Sequence, residues 1–259
     1  MDMKKMKNLF FGVLLVASLP AMAQQFNKGA FGPGEVLEYK IKYGFIDAGE
    51  AELTVDLDEK SFETPVWHVE ARGKTVGTFN FFYKVRNRYD TYINPENLLP
   101  KLFTENIREG DYRRKTFANF KHNEGTVTTK KGDFKIPNDA QDVVSAFYYT
   151  RNAFPKNPVI GEKVTLNYFL SDETNPLTIE YIGKETISTE LGTFNCLKFS
   201  PELTPGRVFR KDSKMYLWVT DDLNRIPLKA EVEIIIGTVY LELTDYEGLV
   251  NPMESMVKK

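Results

Sequence analysis

Histidine and cysteine, the side chains that most often act as metal ligands or nucleophiles, are scarce in this chain. His68 and His122 are the only histidines among 259 residues, and Cys196 is the only cysteine. A structural zinc site takes four nitrogen or sulfur ligands, so we expect neither a metal nor another cofactor. Cys196 alternates with apolar neighbours in "GTFNCLKFS", which predicts a small buried side chain on a strand rather than a reactive thiol.

Paired carboxylates could also do chemistry, because glycosidases place two acids across a cleft. Three pairs stand close in sequence: Asp221 with Asp222, Asp172 with Glu173, and Glu50 with Glu52. The stretch 221–224 fits a turn between strands, where Asp and Asn bond their own backbone. Glu50 and Glu52 are two apart, so they share one face of a strand, most simply a solvated one. Glycan hydrolysis stays open as an alternative.

Basic residues recur on three predicted strands and are the main candidates for ligand binding. The run 80–94 carries Lys84, Arg86 and Arg88, the run 112–122 carries Arg113 with Arg114 and Lys115, and the run 207–221 carries Arg210 with Arg207, Lys211 and Lys214. If they share one surface, they form a basic patch rimmed by aromatic side chains, suited to phosphate, lipid A or an acidic polysaccharide. The alternative is a solvated outer face with interspersed acids.

Aromatic residues make up 13% of the chain, and two of them are candidate ligand contacts. Phe147 and Tyr148 lie in "PNDAQDVVSAFYYTRNAFP", which has helical rather than strand periodicity and predicts a helix over 139–153, capped by Asn138 or Asp139. A helix with aromatic side chains on more than one face either packs in a core or closes over a ligand cavity. Both interpretations stay open.

The rest of the sequence alternates between apolar and polar residues, which predicts strands. These cover 36–43, 50–57, 66–72, 80–94, 98–109, 112–122 and 125–132 before the helix, and 162–169, 177–188, 193–200, 207–221, 225–236 and 238–246 after it. A shift of 127 superposes Gly34-Glu35 on Gly161-Glu162, Tyr89 on Tyr216 and Pro100 on Pro227, which indicates repeat-like halves over about 34–132 and 161–248. We expect a mainly β fold in one domain of residues 24–259. It would be a curved antiparallel sheet or half-barrel built from two tandem β-meander repeats, with one α-helix between the halves.

The first residues indicate export. "MDMKKMKNLFFGVLLVASLPAMAQQF" joins basic residues, an apolar run from Leu9 to Leu19 and the triplet Ala21-Met22-Ala23, which predicts a signal peptide over 1–23. The apolar run is shorter than the roughly 20 residues of a membrane anchor, and no cysteine stands at the cleavage site for lipid attachment. We expect a periplasmic or secreted protein that is not lipid-anchored. A net charge of -2 does not suggest a nucleic-acid partner, and the oligomeric state is left open.

Three stretches carry a family resemblance: "GEVLEYKIKYGFIDAGEAEL", "DAQDVVSAFYYTRN" and "MYLWVTDDLNRIPLKAEVEIIIGTVYLEL". They resemble the exported bacterial proteins known as domain of unknown function 3108, over about 30–250. The resemblance implies a β-rich periplasmic protein and no assigned reaction or catalytic residues. A looser architectural likeness is to periplasmic lipoprotein carriers, which implies an unclosed barrel holding acyl chains beneath a helical lid; fold analogy is a weak guide to function.

These observations favour a non-catalytic binding or carrier protein for an apolar or amphipathic envelope ligand. A docking or structural partner of an envelope assembly is the first alternative, and a glycan-active enzyme with paired carboxylates is the second. A carrier needs an internal apolar cavity of roughly 300 Å³ or more. A docking protein needs an exposed apolar patch or a long unpaired strand edge, and an enzyme needs acids that face each other across a groove.

Overall fold

The computed structural model describes residues 29–203 and 209–257. The expected signal peptide over 1–23 and Arg207 lie outside these ranges. Among the described residues, no helix has both the length and the apolar character needed to cross a membrane.

The described residues form fourteen strands, two α-helices and one short 3₁₀ turn. The first half contains β1 (Val36–Tyr43), β2 (Ile46–Asp58), β3 (Val66–Thr75), α1 (Gly77–Phe82), β4 (Arg86–Ile93), β5 (Pro100–Glu109), β6 (Tyr112–Lys121), the turn His122–Glu124, β7 (Thr126–Thr129) and β8 (Gly132–Lys135). After α2 (Val143–Ala153), the second half contains β9 (Lys163–Leu170), β10 (Glu173–Thr189), β11 (Gly192–Pro201), β12 (Met215–Thr220), β13 (Pro227–Glu233) and β14 (Thr238–Glu247).

All fourteen strands belong to one curved antiparallel sheet, in the order β8-β7-β6-β5-β4-β3-β2-β1-β14-β13-β12-β11-β10-β9. Each half is a meander of neighbouring hairpins, and β1 pairs with β14 at the centre of the sheet. The mainly β prediction is therefore confirmed. The sheet joins the first and last strands of the chain in its middle and leaves β8 and β9 at its two edges.

The turns that the 127-residue shift superposes have the same backbone geometry. Gly34 and Gly161 both have positive φ, 97° and 87°. The Gly34 N–H donates to Val55 O at 2.7 Å, and the Gly161 N–H donates to Tyr181 O at 2.8 Å. Glycine suits both sites because side chains disfavour this conformation.

The two prolines that the same shift superposes also have matching positions. Pro100 pairs with Ile93 beside an irregularity in β4, and Pro227 pairs with Val219 beside one in β12. Proline is tolerated at both positions because each begins a strand. The duplication over 34–132 and 161–248 stays a prediction, with which these turns agree.

The helix begins four residues later than predicted, and its cap is Asp142 rather than Asn138 or Asp139. The Asp142 carboxylate accepts the N–H groups of Val144 and Ser145 at 2.8 and 2.9 Å, and the Ser145 hydroxyl accepts the Asp142 N–H at 2.8 Å. This reciprocal pair is a capping box. Asp142 also accepts a hydrogen bond from Thr91 of β4, a contact that local sequence pattern does not show because only the fold brings the two residues together.

The predicted strand 80–94 is wrong in its first part. Residues 77–82 form α1, and β4 begins only at Arg86. Gly77 starts α1 with φ 50°, and the Val76 N–H donates to Ala48 O of β2 at 3.1 Å, which turns the chain out of β3. Similarly, β12 begins at Met215 rather than 207, with residues 209–214 outside any strand.

The helix α2 packs on one face of the sheet, against β3, β4 and β9. Its side chains Val144 and Tyr148 join a core with Phe31, Val69 and Phe103. A second cluster joins Ala153 and Phe154 at the helix end to strands of the second half: Val164, Ile179, Tyr181, Leu197, Phe199 and Val219. The helix therefore bridges the two halves.

Candidate functional site

The seven predicted ligand contacts are distributed over three places rather than one face. Lys84, Arg86, Arg113 and Arg210 lie at the end of the sheet where β1 finishes and β14 begins. Arg88 lies further along β4, within a cluster of acids. The third place is α2, which carries Phe147 and Tyr148.

Arg88 is held by carboxylates that are almost fully buried. Its Nη2 lies 2.7 Å from Glu70 Oε2 and 2.6 Å from Asp90 Oδ1, and Asp90 also contacts His68 Nε2 at 2.9 Å. Burial by itself raises the pKa of Asp90, but the hydrogen bonds with His68 and Arg88 outweigh it and bring that pKa down to about 2. The carboxylates neutralise Arg88, so this cluster organises the sheet surface and offers little charge to a ligand.

The other predicted arginines use part of their donor capacity on backbone carbonyls. Arg86 Nη1 donates to Thr75 O at 3.2 Å, Arg113 Nη1 to Tyr112 O at 2.8 Å, and Arg210 Nη1 to Ile235 O at 3.3 Å. Lys84 accepts the Gly110 N–H on its own carbonyl at 2.9 Å and has an exposed side chain. The three guanidinium groups therefore lie against neighbouring backbone, whereas the Lys84 ammonium group is exposed.

Phe147 and Tyr148 have different surroundings. Tyr148 is fully buried, between Phe31 at 4.5 Å and Phe147 at 5.1 Å between ring centroids. Phe147 borders a small apolar pocket of about 40 Å³, which Phe154, Phe199 and other residues of the second core also line. This volume is far below the roughly 300 Å³ of a ligand pocket, because core side chains fill the space beneath α2.

Two of the three carboxylate pairs singled out in the sequence, Asp221 with Asp222 and Glu50 with Glu52, are bound by cations or backbone groups. Asp222 accepts the N–H groups of Asn224 and Ser255 at 3.0 and 3.2 Å, and Asp221 pairs with Lys184 at 2.6 Å. Glu50 pairs with Lys74 at 2.9 Å in the same way. Glu52 faces Arg72 at 3.9 Å. These acids are therefore engaged in structural contacts.

Cys196 is fully buried, and burial raises the pKa of its thiol to about 12. A thiol in this state is inert as a nucleophile. The described residues contain no group of three or more His, Cys, Asp or Glu side chains arranged to hold a metal ion.

A cleft of about 820 Å³ lies on the face of the sheet opposite α2. Oppositely charged residues meet across two of its strand pairs: Lys40 is opposite Glu50, and Glu50 is opposite Lys74. Lys74 is in turn opposite a second cation, Arg86. Glu190, at the tip of the β10–β11 hairpin, reaches Lys40 at 3.6 Å and forms part of the wall. Opposite-charge pairs across strands stabilise a sheet. Six basic and four acidic residues line this cleft, which makes it polar.

A different pocket, of about 240 Å³, lies where the two edges of the sheet approach each other, and sequence reasoning missed it. We call this region the seam. Within β6, only Ala118–Lys121 pair with β7. The segment 112–117 pairs with β5 on one side, and its other edge, which has no strand partner among the described residues, faces the pocket. Both chemical types line the pocket: apolar Phe103, Phe117, Ala118, Phe169 and Leu170, and basic Arg114, Lys115, Lys130 and Lys131.

Side chains rather than a backbone ladder close the seam within the described chain. Thr129 Oγ1 donates to Asp172 Oδ1 at 3.0 Å, and Lys131 Nζ pairs with Asp172 Oδ2 at 2.7 Å. The hydrogen bond from Lys131 lowers the pKa of Asp172, although partial burial opposes the shift. The Phe134 and Phe169 rings meet at 5.8 Å between centroids.

A family model described as "Protein of unknown function (DUF3108)" matches residues 38–244. The beta-barrel-like protein of domain of unknown function DUF1849 from Brucella abortus superposes with a TM-score of 0.53 at 7% identity, covering 84% of this chain and 98% of that one. This likeness shows a barrel-like fold and nothing about function.

Two further solved structures match with TM-scores too low to support an argument. A protein described as a lipoprotein from Parabacteroides distasonis gives 0.37 at 15% identity, covering 86% of this chain and 99% of that one. A protein described as exported from Bacteroides fragilis gives 0.37 at 15% identity, covering 84% and 99%. No curated protein matches the sequence.

Proposed function

We propose that this chain, which belongs to the DUF3108 family of proteins of unknown function, is a non-catalytic binding protein for an amphipathic ligand of the bacterial cell envelope. The observation that carries the proposal is the seam pocket, which combines an apolar lining with basic residues at an unclosed edge of the sheet. The expected export to the periplasm is part of the proposal. The family match itself assigns no activity.

The apolar part of such a ligand would lie against Phe103, Phe117 and Phe169. Burying apolar surface is worth about 25 cal/mol per Å². The pocket of about 240 Å³ is near the lower limit for a small-molecule site, so a long acyl chain requires a wider seam. Widening separates Asp172 from Thr129 and Lys131 but breaks no strand pairing, since side chains alone close this gap.

The polar part of the ligand would be anionic. Four basic residues line the pocket: Arg114, Lys115, Lys130 and Lys131. Glu105 engages Arg114 at 2.7 Å and Asp172 engages Lys131, which leaves Lys115 and Lys130 as the cations without an acidic partner among the described contacts. An anionic head group would complement these two ammonium groups.

The test is native mass spectrometry of the protein purified gently from a bacterial periplasm, followed by addition of lysophosphatidylglycerol or zwitterionic lysophosphatidylcholine. We expect a stoichiometric amphiphile adduct, with preference for the anionic lipid. The double variant Lys115→Glu/Lys130→Glu should lose that preference. Lys156→Glu, an exposed charge reversal at the far end of the sheet, is the matched control and should behave as wild type.

A clean apo mass with no gain from either lipid would overturn this function and favour a docking partner of an envelope assembly. Equal adducts for wild type and the double variant would remove the seam as the site. Release of sugar products from envelope glycans would instead support the glycan-active alternative.

A further inference from the structure

We propose that one end of the sheet is a membrane-docking surface that inserts apolar loop tips into an anionic lipid bilayer. Five loops make up this surface, which we call the rim: residues 44–47, 76–86, 109–113, 209–214 and 234–237. The inference goes beyond the proposed ligand site, because the rim binds a lipid surface and the seam pocket binds a single molecule.

The rim exposes large apolar side chains to an unusual degree. Phe45 is 94% exposed, Phe81 86%, Phe82 78% and Ile236 73%. Every Phe or Tyr side chain that the described chain leaves largely exposed lies on this end of the sheet: Phe45, Phe81, Phe82, Tyr83 and Tyr112. Soluble proteins rarely leave contiguous apolar surface uncovered without a binding partner for it.

Contacts between the loops make the rim one continuous surface. Tyr43 of β1 donates its hydroxyl to Ile236 O at 2.8 Å, and its ring meets that of Phe79 in α1 at 6.1 Å between centroids. On the other side of α1, the Tyr83 ring lies against Gly110 of the β5–β6 turn, so close that an added Cβ there would be 3.1 Å from it.

Charge completes the pattern. The rim loops carry six basic residues (Lys84, Arg86, Arg113, Arg210, Lys211 and Lys214) against four acidic ones (Asp47, Glu109, Asp111 and Asp212), whereas the whole chain has a net charge of -2. Aromatic side chains at the membrane interface flanked by Lys and Arg are typical of proteins that lie on anionic bilayers. The apolar tips are also presented by projecting hairpins and a short helix rather than by a flat sheet face.

Val159 and Ile160 supply an internal comparison. They are exposed by 72% and 73%, but they are aliphatic and lie in the segment before β9, outside the five rim loops. The two pairs have similar accessibility, but only Phe81 and Phe82 lie in the rim. The proposal therefore predicts that Phe81 and Phe82 contribute to membrane binding and that Val159 and Ile160 do not.

The experiment is co-sedimentation of the full chain with vesicles of phosphatidylglycerol and phosphatidylcholine, compared with pure phosphatidylcholine. We expect binding to the anionic vesicles that weakens with added salt. Phe81→Ser/Phe82→Ser should reduce the partition coefficient at least tenfold, because two side chains that would enter the bilayer are removed. Val159→Ser/Ile160→Ser should leave it within a factor of about two. Equal losses in the two variants, or no vesicle binding by wild type, would overturn the proposal.

A second measurement does not depend on loss of binding. Phe82→Trp keeps an aromatic side chain at an exposed position, so its fluorescence should shift to the blue and be quenched by brominated lipids when anionic vesicles are added. Val159→Trp is the control and should show neither change. A wild-type dimer in solution that the Phe81→Ser/Phe82→Ser variant converts to monomer would assign the rim to self-association instead.

The two proposals fail separately. The rim variant should still take up lysophosphatidylglycerol in native mass spectrometry, and Lys115→Glu/Lys130→Glu should still bind vesicles through its apolar tips. Loss of both activities in either variant would show that the two surfaces are one site and would overturn the separation made here.

Discussion

The buried ion pair between Arg151 and Glu35 fastens α2 to the centre of the sheet, and its removal gives a sharp prediction. Arg151 Nη1 lies 2.6 Å from Glu35 Oε1, and the two side chains are 2% and 0% exposed. Arg151 also donates to the carbonyls of Ala30 and Asn224, both at 2.9 Å. One side chain of the helix therefore satisfies a carboxylate and two backbone acceptors from separate segments.

Replacing Arg151 with Met keeps a long apolar side chain but leaves Glu35 without a counter-charge in the core. Breaking one partner of a buried ion pair costs about 3–5 kcal/mol, because the remaining charge stays desolvated. For a domain of this size each kcal/mol shifts Tm by about 2–4 °C, so we expect Tm to fall by roughly 6–20 °C. Urea unfolding followed by circular dichroism measures the free-energy change, and a thermal scan measures Tm.

Two controls separate the buried charge from other effects. Arg151→Met/Glu35→Gln removes both charges and should recover a substantial part of the lost stability, since a neutral amide costs less to bury than a carboxylate. Arg210→Met removes an exposed arginine and should change stability by less than about 0.5 kcal/mol. A loss below about 1 kcal/mol in Arg151→Met would refute the view that this pair fastens the helix.

Two further predictions concern β4 and its contact with the start of α2. Asp142→Ala should lower the free energy of unfolding in urea by about 1–2 kcal/mol, because α2 loses its cap and Thr91 loses its partner. Asp139→Ala, at the cap predicted from sequence, is the control and should change that free energy by almost nothing. Equal effects of the two substitutions would contradict the assigned cap. Asp90 has its pKa lowered to about 2 in the folded chain, so its contribution is complete above about pH 4 and is lost as the pH falls toward 2. Asp90→Asn should therefore lower the free energy of unfolding at pH 7 by roughly 2 kcal/mol. The variant should also lose less stability than wild type between pH 4 and pH 2. The same loss of stability over that pH range in both proteins would show that other carboxylates cause it.

Local patterns predicted most of the strands because apolar and polar residues alternate wherever one face of the sheet is buried. The first strand was predicted over 36–43 and is observed as Val36–Tyr43. The predicted strand 80–94 failed in its first residues, where Phe81 and Phe82 suggest a strand by composition but belong to α1. The α1 helix depends on the positive φ at Gly77 and on a bond from Val76 to β2, neither of which is visible in periodicity.

The candidate site was less accessible to sequence reasoning than the fold. Lys84, Arg86, Arg113 and Arg210 were singled out as candidate ligand contacts, and the structure places all four at one end of the sheet. Their role in binding stays a prediction. Arg88 belonged to the same pattern, yet buried Glu70 and Asp90 neutralise it. Spacing along one strand shows which residues share a face but not which acids lie opposite them on the next strand.

The sequence by itself determined the class of this protein: a β-rich chain whose alternating pattern commits it to strands with one buried face, and whose family membership can be read from three stretches. Only the tertiary structure decided that β1 pairs with β14, that the sheet edges meet at a seam, and that aromatic residues from loops far apart in sequence share a rim. The physical reason is that strand propensity is local, whereas strand order and sheet closure depend on contacts between distant residues. Hence the residues proposed to bind a ligand and a membrane are brought together by closure of the sheet.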